Sequence, residues 1–208
     1  MPKAPLLLIG NGEPLRTQTL KELARQACFV LAADGGANVA MQAGIVPDLV
    51  IGDLDSICTN NKRKLANKLL HLPTQENTDL EKSLSWIVQH KFTTVILVGF
   101  VGNRWDFSIG NLLTLANYTN QLDITVVTDT WRMYFITRNR QIACQPHRRA
   151  SLIPLTRCEQ VTLQGCKYPL VHTNLLPGTT RTLSNLTTST RMRIRLARGL
   201  LLLYVENA

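Results

Sequence analysis

The sequence predicts an α/β protein: an N-terminal, mostly parallel open sheet with flanking helices, followed by a smaller C-terminal antiparallel β-sandwich. Three observations predict it. Short Val, Ile and Leu runs alternate with longer helix-like stretches up to about residue 130. Beyond that point the segments are short and alternating, and helical periodicity disappears. The charge changes at the same place. Residues 1–130 hold 11 Lys and Arg against 12 Asp and Glu, a balance of −1. Residues 131–208 hold 12 Lys and Arg against Glu159 and Glu206 alone, a balance of +10. Two domains are therefore expected, 1–130 and 131–208.

In the first domain the strand candidates are Leu6–Ile9, Phe29–Ala32, Leu49–Ile51, Val95–Val98 and Ile124–Val127. Their continuous apolar character fits strands buried on both faces, as in a parallel sheet. Helices are expected at about 15–26, 36–43, 60–70, 79–90 and 107–118. In the second domain the candidates are Met133–Ile136, Ser151–Ile153, Val161–Leu163, residues 191–196 and Leu200–Val205. Pro154, Gly165, Pro177-Gly178 and Gly199 punctuate them. Arg191-Met-Arg-Ile-Arg-Leu puts three arginines on one face of a strand and three apolar side chains on the other.

Composition narrows the class. With 45% hydrophobic and 18% charged residues, the chain supports a sizeable core. Five cysteines, at 28, 58, 144, 158 and 166, form no C-x-x-C pair and suggest reduced thiols in a cytoplasmic protein. The longest aliphatic run, Leu200–Leu203, is far short of a membrane span, so no membrane partner is expected. The basic second domain attracts phosphates in general, but its arginine strand lacks the aromatics that stack on bases. No specific nucleic-acid partner is expected. Trp86 and Trp105 are read as packing residues, as are Cys28 and Cys58; the four histidines have no metal-ligand spacing.

The informative residues are acids placed after strands, where open α/β sheets bind ligands. Asp34 follows the second strand, Asp53 and Asp55 the third, and Asp106 lies in the loop after Val95–Val98. Asp79 opens a helix whose Thr78-Asp-Leu-Glu81 fits a capping box. Any one of these acids is explained as a turn former or cap. Asp53 and Asp55 together are different: two residues apart, they share a side and repel unless a cation or proton intervenes. Magnesium suits such a pair plus substrate phosphates. Lys82 sits one turn from Asp79, and Arg104 stands in the glycine-containing loop Gly99–Asp106, where either would meet a phosphate. Neither that loop nor Gly10-Asn11-Gly12 is a P-loop or a dinucleotide fingerprint. The residues alone point to a magnesium-dependent enzyme acting on a nucleotide or diphosphate.

Four ordered segments resemble the thiamine pyrophosphokinase family: Ala33-Asp-Gly-Gly-Ala-Asn38; Pro47-Asp48 with Gly52-Asp-Leu-Asp-Ser56; Gln75 with Thr78-Asp-Leu-Glu-Lys82; and Gly102 to Asn111 with Arg104 and Asp106. Ser151–Pro154, Val161–Gly165, Lys167–Leu170 and Ser184-Asn185 resemble its C-terminal β-domain. The resemblance implies a nucleotide-binding α/β domain, a β-sandwich, and a homodimer with thiamine at the subunit interface. It implies transfer of the terminal diphosphate of ATP to the hydroxyethyl oxygen of thiamine, releasing AMP and thiamine diphosphate. It assigns Asp53, Asp55 and Asp79 to magnesium and phosphate handling, and Lys82, Arg104 and Asp106 to the catalytic set. Asp34, Gln75 and Asn111 fall on the nucleotide side, Ser184 and Asn185 on the thiamine side. Either Asp55 or Asp79 would accept the hydroxyl proton. Three positions differ from the family pattern: Asn103 where a second glycine is usual, Phe107 where His is usual, and Leu186 where Glu is frequent. The alternatives are a diphosphokinase for a hydroxymethylpterin and a non-catalytic thiamine- or nucleotide-binding protein.

Overall fold

The computed structural model describes residues 4–102 and 104–207. Asn103 lies outside the described residues, so its departure from the family pattern has no structural account here. The chain divides into two compact units, the first ending at Asp129 and the second beginning at Thr130.

The first unit holds strands β1 (Leu6–Ile9), β2 (Phe29–Ala33), β3 (Leu49–Gly52), β4 (Leu69–His71), β5 (Thr94–Val98) and β6 (Asp123–Val127). Its helices are α1 (Thr17–Gln26), α2 (Gly36–Gln42), α3 (Thr59–Lys64), α4 (Asp79–Gln89) and α5 (Trp105–Asn117). The sheet order is β6-β5-β1-β2-β3-β4, and every pairing is parallel. Central β1 is apolar throughout because it is covered on both faces; Leu6, Leu8 and Ile9 are fully buried. The sequence runs outward from β1 in one direction through β2, β3 and β4, and in the other through β5 and β6. The chain connections that follow β1 and β5 therefore run to opposite sides of the sheet order, which opens a crevice at the carboxyl ends of those strands.

One expected helix is wrong. The stretch 60–70 holds α3 only to Lys64, then a 3₁₀ turn at Ala66–Lys68, then strand β4. Leu65, at 1% exposure, is the residue that reaches the core. Leu69 and Leu70 pair with Val50 and Ile51 of β3 instead of continuing the helix. Sheet pairing overrides the helical propensity of Lys, Leu and Ala here.

The second unit contains two antiparallel sheets. One is β12 (Asn185–Leu186), β9 (Arg149–Pro154), β14 (Leu201–Glu206) and β7 (Trp131–Ile136) in that order; the other is β11 (Leu170–Leu175), β10 (Cys158–Gln164), β13 (Arg191–Arg195) and β8 (Arg140–Ala143). Leu152, Leu201 and Leu203 of the first sheet share one core with Val161, Met192 and Ile194 of the second, which makes a sandwich. β13 alternates as its sequence predicts, with its arginines exposed and Met192 and Ile194 fully buried. β8, β11 and β12 escape sequence reading. β8 and β12 are short, and β11 loses its alternation because His172 sits in the left-handed region (φ 42) where the register to β10 shifts.

Trp86 packs as expected, stacking on Phe29 and on His90. Trp105 does not: it is 77% exposed, on the outer side of α5. Cys28 and Cys58 are also exposed, because each stands just before an element rather than inside it.

The two glycine loops meet at the crevice. Gly12 N–H donates to Gly99 O at 2.7 Å, and a Cβ on Gly99 (φ 75) would lie 2.6 Å from Gly10 O. A backbone atom cannot yield as a side chain end does. Gly99→Ala is expected to destabilise the protein by about 2–4 kcal/mol, from strain plus clash. Gly178→Ala, left-handed as well (φ 86) but with nothing within 4 Å of the added carbon, should cost only about 1–2 kcal/mol. Urea midpoints of the two variants measure the difference.

Candidate active site

A cavity of about 630 Å³ fills the crevice at the carboxyl ends of the central strands, within the roughly 300–1,000 Å³ of small-molecule sites. The loop after β1 contributes Gly10–Pro14, the loop after β5 Gly99–Gly102, and the β2 end Ala33–Gly35. Asp79, Arg104, Phe107 and Asn111 complete its walls.

The acids converge. Carboxylate oxygens of Asp34, Asp53 and Asp55 lie within 4.8 Å of one another. Asp34 is turned inward by left-handed backbone (φ 41), its N–H donating to Ile51 O at 2.8 Å. It is only 5% exposed. Its Oδ2 accepts from Ser56 N–H at 3.3 Å, but its buried Oδ1 has no partner among the described residues. Asp53 accepts from the Gln75 amide at 3.0 Å and from Asp55 N–H at 3.3 Å. Those bonds, the Gln75 one foremost, hold its carboxyl below the ordinary range. Asp55 accepts from the Ser56 hydroxyl at 2.9 Å.

Asp79 stands beside this group. A Cβ on Gly52, at the end of β3, would lie 2.8 Å from Asp34 Cβ and 3.1 Å from Asp79 Oδ1. The missing side chain is what lets the two acids approach across β3. Thr78 caps α4: its hydroxyl accepts from Glu81 N–H at 3.2 Å, and Glu81 Oε2 accepts from Thr78 N–H at 2.9 Å. This box fixes Asp79 at the first helical position. Lys82, buried on the next turn, donates to Asp79 Oδ1 at 3.3 Å. Burial pushes the Asp79 carboxyl up; Lys82 opposes that shift, and the charges of Asp34 and Asp53 reinforce it.

Arg104 and Asp106 form an exposed fork, Nε to Oδ1 at 2.9 Å and Nη2 to Oδ2 at 2.5 Å. Arg104 holds the Asp106 carboxyl down at about 2. The guanidinium carbon also lies 4.6 Å from the centroid of the Phe107 ring. Phe107, one of the three positions that differ from the pattern expected from the sequence, is thus a wall of the cavity and a platform for Arg104.

The predicted residues fall in different places. The carboxylate oxygens that gather within 4.8 Å of one another are those of Asp34, Asp53 and Asp55, and Asp79, which the sequence groups with Asp53 and Asp55, stands beside them across Gly52. Asn111 lines the cavity, but its amide donates to Phe100 O at 2.7 Å and so holds the loop after β5. Ser184 and Asn185 belong to the second unit. The Ser184 N–H donates to Ser151 Oγ at 3.0 Å. Asn185 is buried and committed: Oδ1 accepts from Tyr168 N–H at 3.0 Å and Nδ2 donates to Tyr168 O at 2.7 Å. It shapes the Tyr168 turn rather than offering a free amide. Sequence reading missed two positioning residues. Asn38 accepts from Cys58 N–H at 3.1 Å and donates to Ser56 O at 2.8 Å, tying the Asp53–Ser56 loop to α2. Ser108 accepts from Gly102 N–H at 3.0 Å and donates to Arg104 O at 2.8 Å. Asn38 closes the Ala33–Asn38 motif, a signal that was available; Ser108 carries no signal in the sequence.

Fold and site together define a protein of two parts: an open parallel α/β unit with an acid-lined crevice at its switch point, and a small β-sandwich. Comparison with known proteins makes the class particular. The family model for the thiamin pyrophosphokinase catalytic domain matches residues 20–128, and that for the thiamin pyrophosphokinase vitamin B1 binding domain matches residues 140–201. The chain belongs to the thiamin pyrophosphokinase family. It is 27% identical over 189 residues to a thiamine pyrophosphokinase of Bacillus subtilis, covering 83% of this chain and 85% of that protein. It is 26% identical over 207 residues to a thiamin pyrophosphokinase 1 of Caenorhabditis elegans, covering 92% and 85%. The fold is shared with the crystal structure of thiamine pyrophosphokinase from Bacillus subtilis (TM-score 0.84, 22% identity, 97% and 99% covered) and with that of thiamin pyrophosphokinase from Candida albicans (TM-score 0.86, 17% identity, 98% and 89% covered).

The commitment of Asn185 has a measurable consequence. Asn185→Ala removes a buried amide and both of its bonds to the Tyr168 backbone, and is expected to cost about 1–3 kcal/mol in urea unfolding. Ser184→Ala, whose exposed hydroxyl makes no hydrogen bond among the described residues, should fall within about 0.5 kcal/mol of the parent.

Proposed function

We propose that this chain transfers the diphosphate group of ATP to the hydroxyethyl oxygen of thiamine, giving thiamine diphosphate and AMP. The observation that carries it is the gathering of Asp34, Asp53, Asp55 and Asp79 around one crevice floored by glycine loops. The family match over residues 140–201 supports thiamine over a hydroxymethylpterin as acceptor.

The acid group fits magnesium: hard oxygen donors, three of them within 4.8 Å, with a buried Asp34 oxygen that has no hydrogen-bond partner among the described residues. Asp34, Asp53 and Asp55 would hold the ion, and Gln75 orients Asp53. Bound there, magnesium supplies positive charge against the phosphate oxygens. The rest is done by the chain. The backbone of the two glycine loops receives the triphosphate, and Arg104 meets it from the cavity wall. The thiamine hydroxyl oxygen attacks the β-phosphorus, the bond from that phosphorus to the bridging oxygen breaks, and AMP leaves with that oxygen. Asp79 accepts the hydroxyl proton. Of the two candidates it has the raised carboxyl, and a stronger base takes a proton more readily. Lys82 keeps Asp79 in place. Catalysis here rests on positioning and charge rather than on covalent chemistry.

The protein works as a homodimer in the cytoplasm in this reading. Five free cysteines support a reducing compartment, and among the described residues no helix is long and apolar enough to cross a membrane. Light scattering of the purified chain tests the dimer.

Purified protein incubated with ATP, magnesium and thiamine should release AMP in stoichiometric amounts with thiamine diphosphate; AMP no greater than in a thiamine-free control would reject the function. Asp53→Asn is expected to lower kcat by about 100-fold or more with an unchanged melting temperature. Chelation of divalent ions should abolish turnover, and magnesium should restore it. Phe107→Leu removes the platform beneath Arg104 and should raise the KM for ATP about 2- to 5-fold, with kcat less affected.

A further inference from the structure

We propose that the outward face of the β11-β10-β13-β8 sheet carries an anion site for a small phosphate-bearing ligand, separate from the crevice. A cavity of about 390 Å³ lies on that face, and Asn139, Gln160, Thr162, Gln164, His172 and Arg195 supply its polar lining. Every one of these side chains can donate a hydrogen bond, and no carboxylate lines the cavity. The register makes the donor set contiguous: Thr162 stands opposite Arg195, and Gln164 opposite Arg193. Arg193 and Arg195 are exposed, and neither has an ion pair with an acid among the described residues. Glu159, the acid adjacent in sequence, is engaged with Arg157 at 3.3 Å.

The concavity is built rather than accidental. A flat sheet face offers no pocket, and this one is bent by two non-glycine residues held in the left-handed region, Gln160 (φ 52) and His172 (φ 42). Both line the cavity, and both lie where the β10–β11 register shifts. Their backbones are pinned: Gln160 N–H donates to Asn174 Oδ1 at 3.0 Å, and His172 N–H donates to Thr162 Oγ1 at 3.3 Å. Such strain persists where surrounding structure holds it, and it collects at ligand clamps. A neutral polar ligand would need no arginine; a phosphate uses the planar fork together with the amide and hydroxyl donors around it. The arginine row also suits a nucleic-acid backbone. The cavity is compact, however, and β13 lacks the aromatic platforms that single-strand binders use, so a small ligand is favoured. The inference does not depend on the reaction assigned to the crevice.

The test is backbone NMR of the full chain titrated with pyrophosphate. Saturable shifts are expected at the amides of Gln160, Thr162 and His172, apart from any at Gly10 and Gly99. Arg195→Met should weaken the sandwich-site affinity at least tenfold and leave the crevice shifts unchanged, and Arg195→Lys should retain part of it. Equal affinity for pyrophosphate and AMP would show that the phosphate alone is read; tighter binding of AMP or of thiamine diphosphate would show that the organic part is read too. Absence of saturable shifts at these three amides in the millimolar range would overturn the proposal, as would shifts that survive Arg195→Met. A short oligonucleotide that displaces pyrophosphate and perturbs the whole of Arg191–Arg195 would replace the small-ligand site with a nucleic-acid surface.

Discussion

Holding like charges together is the constraint on which the first unit depends. Two unit charges 4 Å apart repel by about 4 kcal/mol at an effective dielectric of about 20, and by about 1 kcal/mol in bulk water. Four aspartates around one crevice are therefore a cost to folding that a merely structural role would not need. The chain accepts it by fixing each carboxylate through a different element. Asp34 is held by its left-handed backbone, Asp53 by Gln75, Asp55 by Ser56 and Asp79 by the Thr78 cap and Lys82. Among the described residues Lys82 brings the compensating positive charge: it pairs with Asp79, and its charge also lowers the Asp53 carboxyl. Asp34, Asp53 and Asp55 form no ion pair among the described residues, so a divalent ion bound there, as proposed above, would relieve a repulsion that Lys82 offsets only in part.

The sheet supplies the geometry that makes this gathering possible. Strand order places β2 and β3 side by side, so that their carboxyl ends carry Asp34 and Asp53 at neighbouring positions. Gly52 removes the side chain that would stand between Asp34 and Asp79. On the other side of β1 the glycines at 10, 12 and 99 bring the two loops into backbone contact. The acids thus lie on one side of the β1 end, and the glycine loops at that end and on its other side.

Much of this was legible in the sequence because its causes are local. The parallel strands announce themselves since burial on both faces demands unbroken Val, Ile and Leu. The capping box of α4 was legible because its two partners are three residues apart. What was not legible depends on neighbours distant in the chain. Leu69 and Leu70 read as helix until β3 is there to pair with them. Asp34 looks like an ordinary turn residue until its unpartnered oxygen is seen buried beside Asp53 and Asp55. Asn185 resembles a ligand contact in sequence, and only the fold shows both ends of its amide spent on Tyr168. The strand β11 is hidden for the opposite reason, since its defining feature is a distortion that erases the period.

Phe107 shows how a departure from the family pattern is absorbed by the same physics. A guanidinium has five N–H donors in one plane. Asp106 takes two of them, through Nε and Nη2, and Phe107 faces the guanidinium carbon at 4.6 Å. Three donors remain, one on Nη2 and both on Nη1, on a side chain that is 69% exposed. The carboxylate fixes the rotation of the plane and the ring steadies its tilt. In the proposed reaction a phosphate entering the crevice would meet the remaining donors without displacing Asp106. A histidine at 107 would add a titratable group to this wall, whereas the phenyl ring does not. Arg104 is thereby oriented in a way that does not change with pH across the neutral range, where Asp106, held at about 2, stays ionised.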